Sequence, residues 1–274
     1  MTTFEKIIKY AATAFAAILA VGIVVGVLRL GFFIITSIAG HNIERTDITY
    51  TYNAEDIQSV CMDNSSANVT IEYYSGNEIS VDATNVPVSF KCTTDSKGNL
   101  TIKNGTLKSA FLSFWGKNPK IVLLLPKDYE LKNLKLNGDV GDITINDIKV
   151  ETLDISGGVG DIDANGLSID DFSFDGGVGD FNMVNCTINK SRINGGIGDI
   201  DIENSILKDI DIDNGIGDID IEINGNIEDY SFDIDGGLGG ININDRKPGY
   251  YKDNKGEYKI SCDNGIGDIE ITIE

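Results

Sequence analysis

Histidine occurs once in this 274-residue chain, at His41, and proline only four times. A hydrolase that activates serine or cysteine needs a positioned base, and beyond residue 41 there is no imidazole to serve as one. Metal clusters built on paired histidines are excluded for the same reason. The four cysteines, Cys61, Cys92, Cys186 and Cys262, show no CxxC spacing, which removes the usual zinc and dithiol arrangements. They read as small buried hydrophobes, with a Cys61–Cys92 disulfide as the alternative. Basic side chains are scarce as well. Four of the 22 basic and two of the 43 acidic residues fall in positions 1–45, which leaves 18 against 41 beyond, in a chain of net charge −21. A surface that acidic repels nucleic acid and attracts cations or basic partners. Nucleic acid is excluded as a partner.

One long apolar run is present. From Tyr10 to Leu28 nineteen residues carry no charge, and as a helix they would extend about 28 Å, close to the thickness of a bilayer core. Arg29 interrupts, and Leu30–Gly40 continues the apolar character. Residues 10–39 are therefore expected to meet the membrane as one anchoring helix. Lys6 and Lys9 favour a cytoplasmic N-terminus and an extracellular remainder, although Arg29 and Arg45 pull the other way. A cleaved signal peptide is the competing reading, with Ser37-Ile38-Ala39 before Gly40 as the cleavage site. Its apolar core would be longer than the ~7–15 residues usual for such peptides.

Beyond residue 127 the sequence repeats. A GxGDI motif aligns on Asp142, Asp161, Asp180, Asp199 and Asp218, each nineteen residues after the last, then degenerates to GGLGGI at Gly240 and returns as NGIGDI at Asp268. A fixed short period marks a solenoid. One column holds Ile143, Ile162, Phe181, Ile200, Ile219, Ile241 and Ile269, and two residues later comes a second apolar column. Polar residues sit between, which is the period-2 alternation of a half-buried strand. A third apolar column, Val140, Val159, Val178, Ile197, Ile216, Leu238 and Ile266, precedes the glycine. The chain must bend between Val159 and Ile162, and Gly160 supplies the conformational freedom. Gly141, Gly160, Gly179, Gly198, Gly217, Gly239 and Gly267 are thus expected to be structural turns. A phosphate-cradling loop would lead into a helix, and here every loop leads into another strand.

The expected architecture is all-β: a right-handed parallel β-solenoid of about 19 residues per coil, preceded by the N-terminal transmembrane helix. Three segments follow from the pattern: 1–45 as cytoplasmic stub, anchor and linker, 46–126 as a looser β region, and 127–274 as the repeat solenoid. At this point the chain resembles a bacterial putative-adhesin domain family of unknown function. The resemblance rests on Ile57…Val60 and Val69-Thr70-Ile71, on IVLLLP ending at Pro126, and on the succession LKLNGDVGDITI, LDISGGVGDIDA and FSFDGGVGDFNM. It covers roughly residues 50–274. It implies a β-solenoid surface domain, for some relatives a link to envelope stress, and no catalytic residues.

Two kinds of candidate site remain. In register, Asp142, Asp161, Asp180, Asp199 and Asp218 form a row of carboxylates about 4.8 Å apart. The row either accepts hydrogen bonds from the neighbouring turn or recruits calcium loosely through its hard oxygens; no other cofactor is implied. Two stretches outside the pattern, around Trp115 and around Arg246, Tyr250 and Tyr251, are candidate binding loops for a cell-wall glycan or a surface protein. The expected function is non-enzymatic adhesion, binding or envelope sensing at the cell surface. A membrane signalling or transport accessory is the alternative. A polysaccharide-degrading β-helix is disfavoured, because a catalytic cluster would be a local irregularity and these carboxylates recur in every coil.

Overall fold

The computed structural model describes residues 44–64, 66–105, 119–244, 251–253 and 255–274. The expected membrane segment 10–39 lies outside them, and no helix among the described residues is long and apolar enough to cross a membrane.

Each repeat makes one coil with two strands. In the coil from Lys149, the strand Lys149–Ser156 buries Val150, Leu153 and Ile155, while Ile162–Asn165 buries Ile162 and Ala164. The next coil repeats this with Ser168–Asp175 and Phe181–Val184. Like strands stack parallel and in register: Lys149 lies beside Ser168 and then Thr187, and Ile162 beside Phe181 and then Ile200. Two facing sheets result, one of long strands and one of short strands, and their inner faces form a continuous apolar core from Ile57 to Ile273. The coil returns from short to long strand through a left-handed residue, Asp147, Gly166, Asn185 or Asn204. These are the residue types that tolerate positive φ.

No packing boundary falls at residue 126, since Arg45–Glu274 is one compact unit. Ser59–Asn64 and Asn68–Tyr74 form a full coil of the same stack, so the looser region belongs to the solenoid. The coils are also not stacked in sequence order at either end. The coil of residues 59–74 is inserted between the coil containing Asn99–Asn104 and Lys120–Pro126 and the coil containing Glu130–Gly138 and Ile143–Asn146. At the other end Tyr258–Ile266 and Ile269–Ile273 lie between the coil of residues 206–223 and that of residues 230–243. The last segment of the chain is therefore an inner rung. Antiparallel strands finish the exposed edges: Lys91–Thr94, Glu78–Pro87 and Arg45–Asn53 at one end, Tyr251–Lys252 at the other.

The column of Val140, Val159, Val178, Ile197, Ile216, Ile266 and Leu238 runs along one corner of the stack. These residues pair with one another in parallel bridges and ladder contacts, yet none belongs to the core. Val159 and Val178 are 53% and 42% exposed, and the other five are half-buried outside the core. The glycine that follows, with φ between 129° and 148° in six of the seven copies, swings the chain so that Ile162 and its equivalents turn inward.

Candidate functional site

The glycine corner positions the aspartate row. Six of the expected turn glycines have left-handed φ; Gly239 does not, but shares the column's second constraint. A Cβ at Gly160, Gly179, Gly198 or Gly217 would overlap the carbonyl oxygen of the equivalent glycine one coil earlier, and at Gly239 that of Gly267. Backbones therefore touch from coil to coil, which fixes the following aspartate against its neighbour. Asp161 N–H donates to Asp142 Oδ1 at 3.2 Å, and the contact repeats through Asp180, Asp199 and Asp218 at 3.0, 2.9 and 2.8 Å. It continues to Asp268 at 2.8 Å and ends with Gly240 N–H donating to Asp268 at 2.7 Å. Asn68 begins the rail, its Oδ1 accepting from Asp142 N–H at 3.3 Å. Each carboxylate thus satisfies a backbone donor that a parallel corner would otherwise leave unpaired. The terminal rung has no further amide to cap, and there the aspartate is replaced by Gly240.

The five aspartates expected to form a row do so, with one oxygen of each committed to the adjacent rung. Among the described residues no group of three or more His, Cys, Asp or Glu side chains converges as a cation cage. A second acidic row runs through Asp163, Asp201 and Asp220 on the short-strand sheet. Asn182 Nδ2 donates to Asp163 Oδ1 at 3.0 Å and relieves one end. Asp201 and Asp220 are direct neighbours without such a spacer. Burial, then Asp220 and other nearby acids, pushes the Asp201 carboxyl up, and burial with Glu203 pushes up Asp220.

A raised folded-state carboxyl pKa stabilises the fold below the ordinary value and withdraws that support as pH climbs through the raised one. Melting temperature is accordingly expected to rise as pH falls from 7.5 to about 5, and Asp201→Asn to raise it by about 2 °C at pH 7.5 but less at pH 5. The same scans in calcium and in chelator at equal ionic strength should coincide if the rail is satisfied by amides. A melting temperature that falls on acidification to pH 5 would contradict the electrostatic account, and a calcium-specific rise would return the row to cation binding.

An open groove of about 450 Å³ lies where the rail begins, lined by Asn68, Thr70, Lys120, Thr144, Asp161 and Asp163 among others. It combines hydroxyl, amide, ammonium and carboxylate groups within one depression. The groove was not expected from the sequence; among the described residues that line it, Lys120 is the one basic side chain at this acidic corner. Trp115, Arg246 and Tyr250, expected in binding loops, lie outside the described residues. Tyr251 is described and is not a free recognition group. It packs edge-on against Phe232 at 5.7 Å, and its hydroxyl donates to Asp253 at 3.1 Å. It closes the end of the core.

The cysteines separate into two pairs. Cys186 and Cys262 are buried, as expected. Leu167 N–H donates to Cys186 Sγ at 3.4 Å, and Cys186 N–H donates to Ser205 Oγ at 3.1 Å, so this column caps amides from inside the corner. Cys61 and Cys92 are free thiols rather than a disulfide. Both flank Asn99–Asn104, but Cys61 faces outward opposite Thr101, whereas Cys92 lies opposite the inward Ile102. Burial pushes the Cys92 thiol up to about 12.

The family profile described as Toastrack DUF4097 matches residues 57–247. The chain belongs to this family. No curated protein matches. Among solved structures, this Toastrack chain is similar to a putative adhesin from Bacteroides fragilis, with 15% identity, TM-score 0.50, and coverage of 84% of this chain and 98% of that one. A putative cell adhesion protein from Clostridium sporogenes shows 14% identity, TM-score 0.39, and 84% and 100% coverage. A putative adhesin from Parabacteroides merdae shows 12% identity, TM-score 0.41, and 82% and 96% coverage. At these identities the likeness concerns the Toastrack fold alone.

Proposed function

We propose that this Toastrack protein is a non-enzymatic display rod of the cell surface, with a role in adhesion, binding or envelope sensing. The observation that carries the reading is the regularity of its surface. Apolar ridge, aspartate rail and acidic row recur from coil to coil, which suits presentation along a length rather than chemistry at a point. Residues 10–39 anchor the rod in the membrane, with Lys6 and Lys9 inside and residues 45–274 outside. Its coil is right-handed, as parallel crossover connections are. The groove at Asn68, Lys120 and Thr144 is offered to a cell-wall glycan, whose hydroxyls match its mixture of donors and acceptors.

Protease added to intact cells is expected to release fragments of residues 45–274, and the full chain to sediment with insoluble cell wall. Lys120→Ala combined with Thr144→Ala should reduce that sedimentation several-fold. A domain that survives until the cells are lysed would contradict the outside placement. Sedimentation that is absent, or unchanged in the double variant, would contradict the glycan reading of the groove.

A further inference from the structure

We propose that the aliphatic ridge from Val140 to Leu238 is a docking surface for a cationic amphipathic helix. This goes beyond the glycan reading of the groove and concerns a different chemistry. Seven aliphatic residues, Val140, Val159, Val178, Ile197, Ile216, Ile266 and Leu238, stand in one row outside the core. Soluble surfaces carry scattered apolar residues, but a contiguous row in a fixed register marks an interaction site. The fold does not need these side chains to be apolar, since they do not pack on its core.

The flanks specify the partner. On one side lies the exposed rail of Asp142, Asp161, Asp180, Asp199, Asp218 and Asp268, followed by Asp163, Asp201, Asp220 and Glu270 on the short-strand sheet. On the other side Gly158, Gly177 and Gly196 leave bare backbone beside the ridge, and the next outward row includes Asp175, Asp213, Asp263 and Asp235. Over the seven ridge rungs none of these rows contains lysine or arginine; Lys120 and Lys103 stand in the same rows only beyond Val140, two rungs past the end of the ridge. The ion pairs Lys190–Asp171, Arg192–Asp211, and Lys252 and Lys259 with Asp233 lie elsewhere on the long-strand sheet. Burial with Asp235 and Asp213 pushes the Asp263 carboxyl up, a sign that negative charge is crowded on this side too.

An apolar seam between two acidic borders disfavours a second copy, which would bring acid against acid, and an anionic bilayer, which would be repelled. It complements a seam of aliphatic residues bordered on both sides by lysine or arginine. The spacing selects a helix. Ridge residues recur about every 4.8 Å, close to the ~5.4 Å pitch of a helix and far from the ~6.7 Å same-face repeat of a strand. Seven rungs span roughly 29 Å, the length of a helix of about 19 residues.

The test uses the full chain and a fluorescent 20-residue peptide with leucines at i, i+3, i+4 and i+7 flanked by lysines. Its control is a scrambled peptide of the same composition. Fluorescence anisotropy at about 0.15 M salt should show binding of the amphipathic peptide at least about tenfold tighter than of the scrambled one. Val159→Ser/Val178→Ser/Ile197→Ser should weaken it by about tenfold or more without altering the melting curve. If the triple variant fails to fold, Val178→Lys alone should give the loss by placing a cation against the cationic helix. Equal binding of both peptides, absent binding, or binding unaffected by both variants would overturn the proposal. A dimer abolished by the serine variants would assign the ridge to a second copy instead. A blue shift of Val159→Trp fluorescence on adding neutral vesicles would assign it to membrane, and either result also overturns the proposal.

Discussion

Replacing Gly198 by valine is expected to lower stability by about 3–5 kcal/mol, roughly 10 °C in melting temperature for a unit of this size. Two independent effects combine. The backbone there has φ +148°, which a β-branched residue adopts only under strain. A side chain would also overlap the Gly179 carbonyl one coil away, and that oxygen cannot retreat because the corner backbones touch in series. Valine at this point would pry apart two rungs and break the rail contact from Asp199 N–H to Asp180. The neighbouring Ile197→Ser is the control. It lies outside the core and should shift the urea midpoint little. Equal midpoints for Gly198→Val and wild type would show that the corner is not close-packed.

Truncation after residue 257 is expected to be more damaging than the loss of a terminal repeat. The removed segment is an inner rung, and it carries Ile260, Cys262, Ile269, Ile271 and Ile273, all buried. At about 1.5–3 kcal/mol each, their burial is comparable with the whole stability of an ordinary domain. Without them Tyr230–Asp235 and Ile241–Ile243 lose their parallel partners. Limited proteolysis of the truncated chain should therefore cut freely within residues 227–257. Protection of that segment would mean that it stacks directly on residues 206–223.

The period-19 repeat made the parallel coils, the inward isoleucine columns and the turn glycines legible, because stacking demands the same residue type at the same point of every rung. The outward ridge was obscured by its composition. Aliphatic columns ordinarily mean core, yet Val159 and Ile162 are three apart, and in a period-2 chain an odd separation places residues on opposite faces. The close approach of backbones at Gly158, Gly177 and Gly196 was likewise hidden within the glycine doublets, where one glycine is enough to explain a turn.

The threading order was the least legible feature, since near-identical rungs fit one another in any order. Two features carried a signal, a duplicated hexapeptide and a missing aspartate. Asn214–Ile219 and Asn264–Ile269 are the same six residues, NGIGDI, and they are neighbours in space. Asn264 Nδ2 donates to the Gly217 carbonyl at 2.9 Å across that junction. Gly240 stands where an aspartate would have no amide to cap, as suits the outermost rung. The groove at Lys120 could not be read from the sequence at all, because it depends on the coil of residues 59–74 being inserted beside residue 142.

The most direct test of the stacked, non-sequential solenoid is cysteine cross-linking across the long-strand sheet. Asp211 lies beside Ser261, and Ser261 beside Asp233, so Asp211 and Asp233 are separated by a strand. Neighbouring parallel residues about 4.8 Å apart fall within reach of a disulfide, whereas a two-strand separation of about 10 Å does not. Under mild oxidation Asp211→Cys/Ser261→Cys is predicted to form an intramolecular disulfide and Asp211→Cys/Asp233→Cys to remain reduced. The reverse pattern would contradict the fold described.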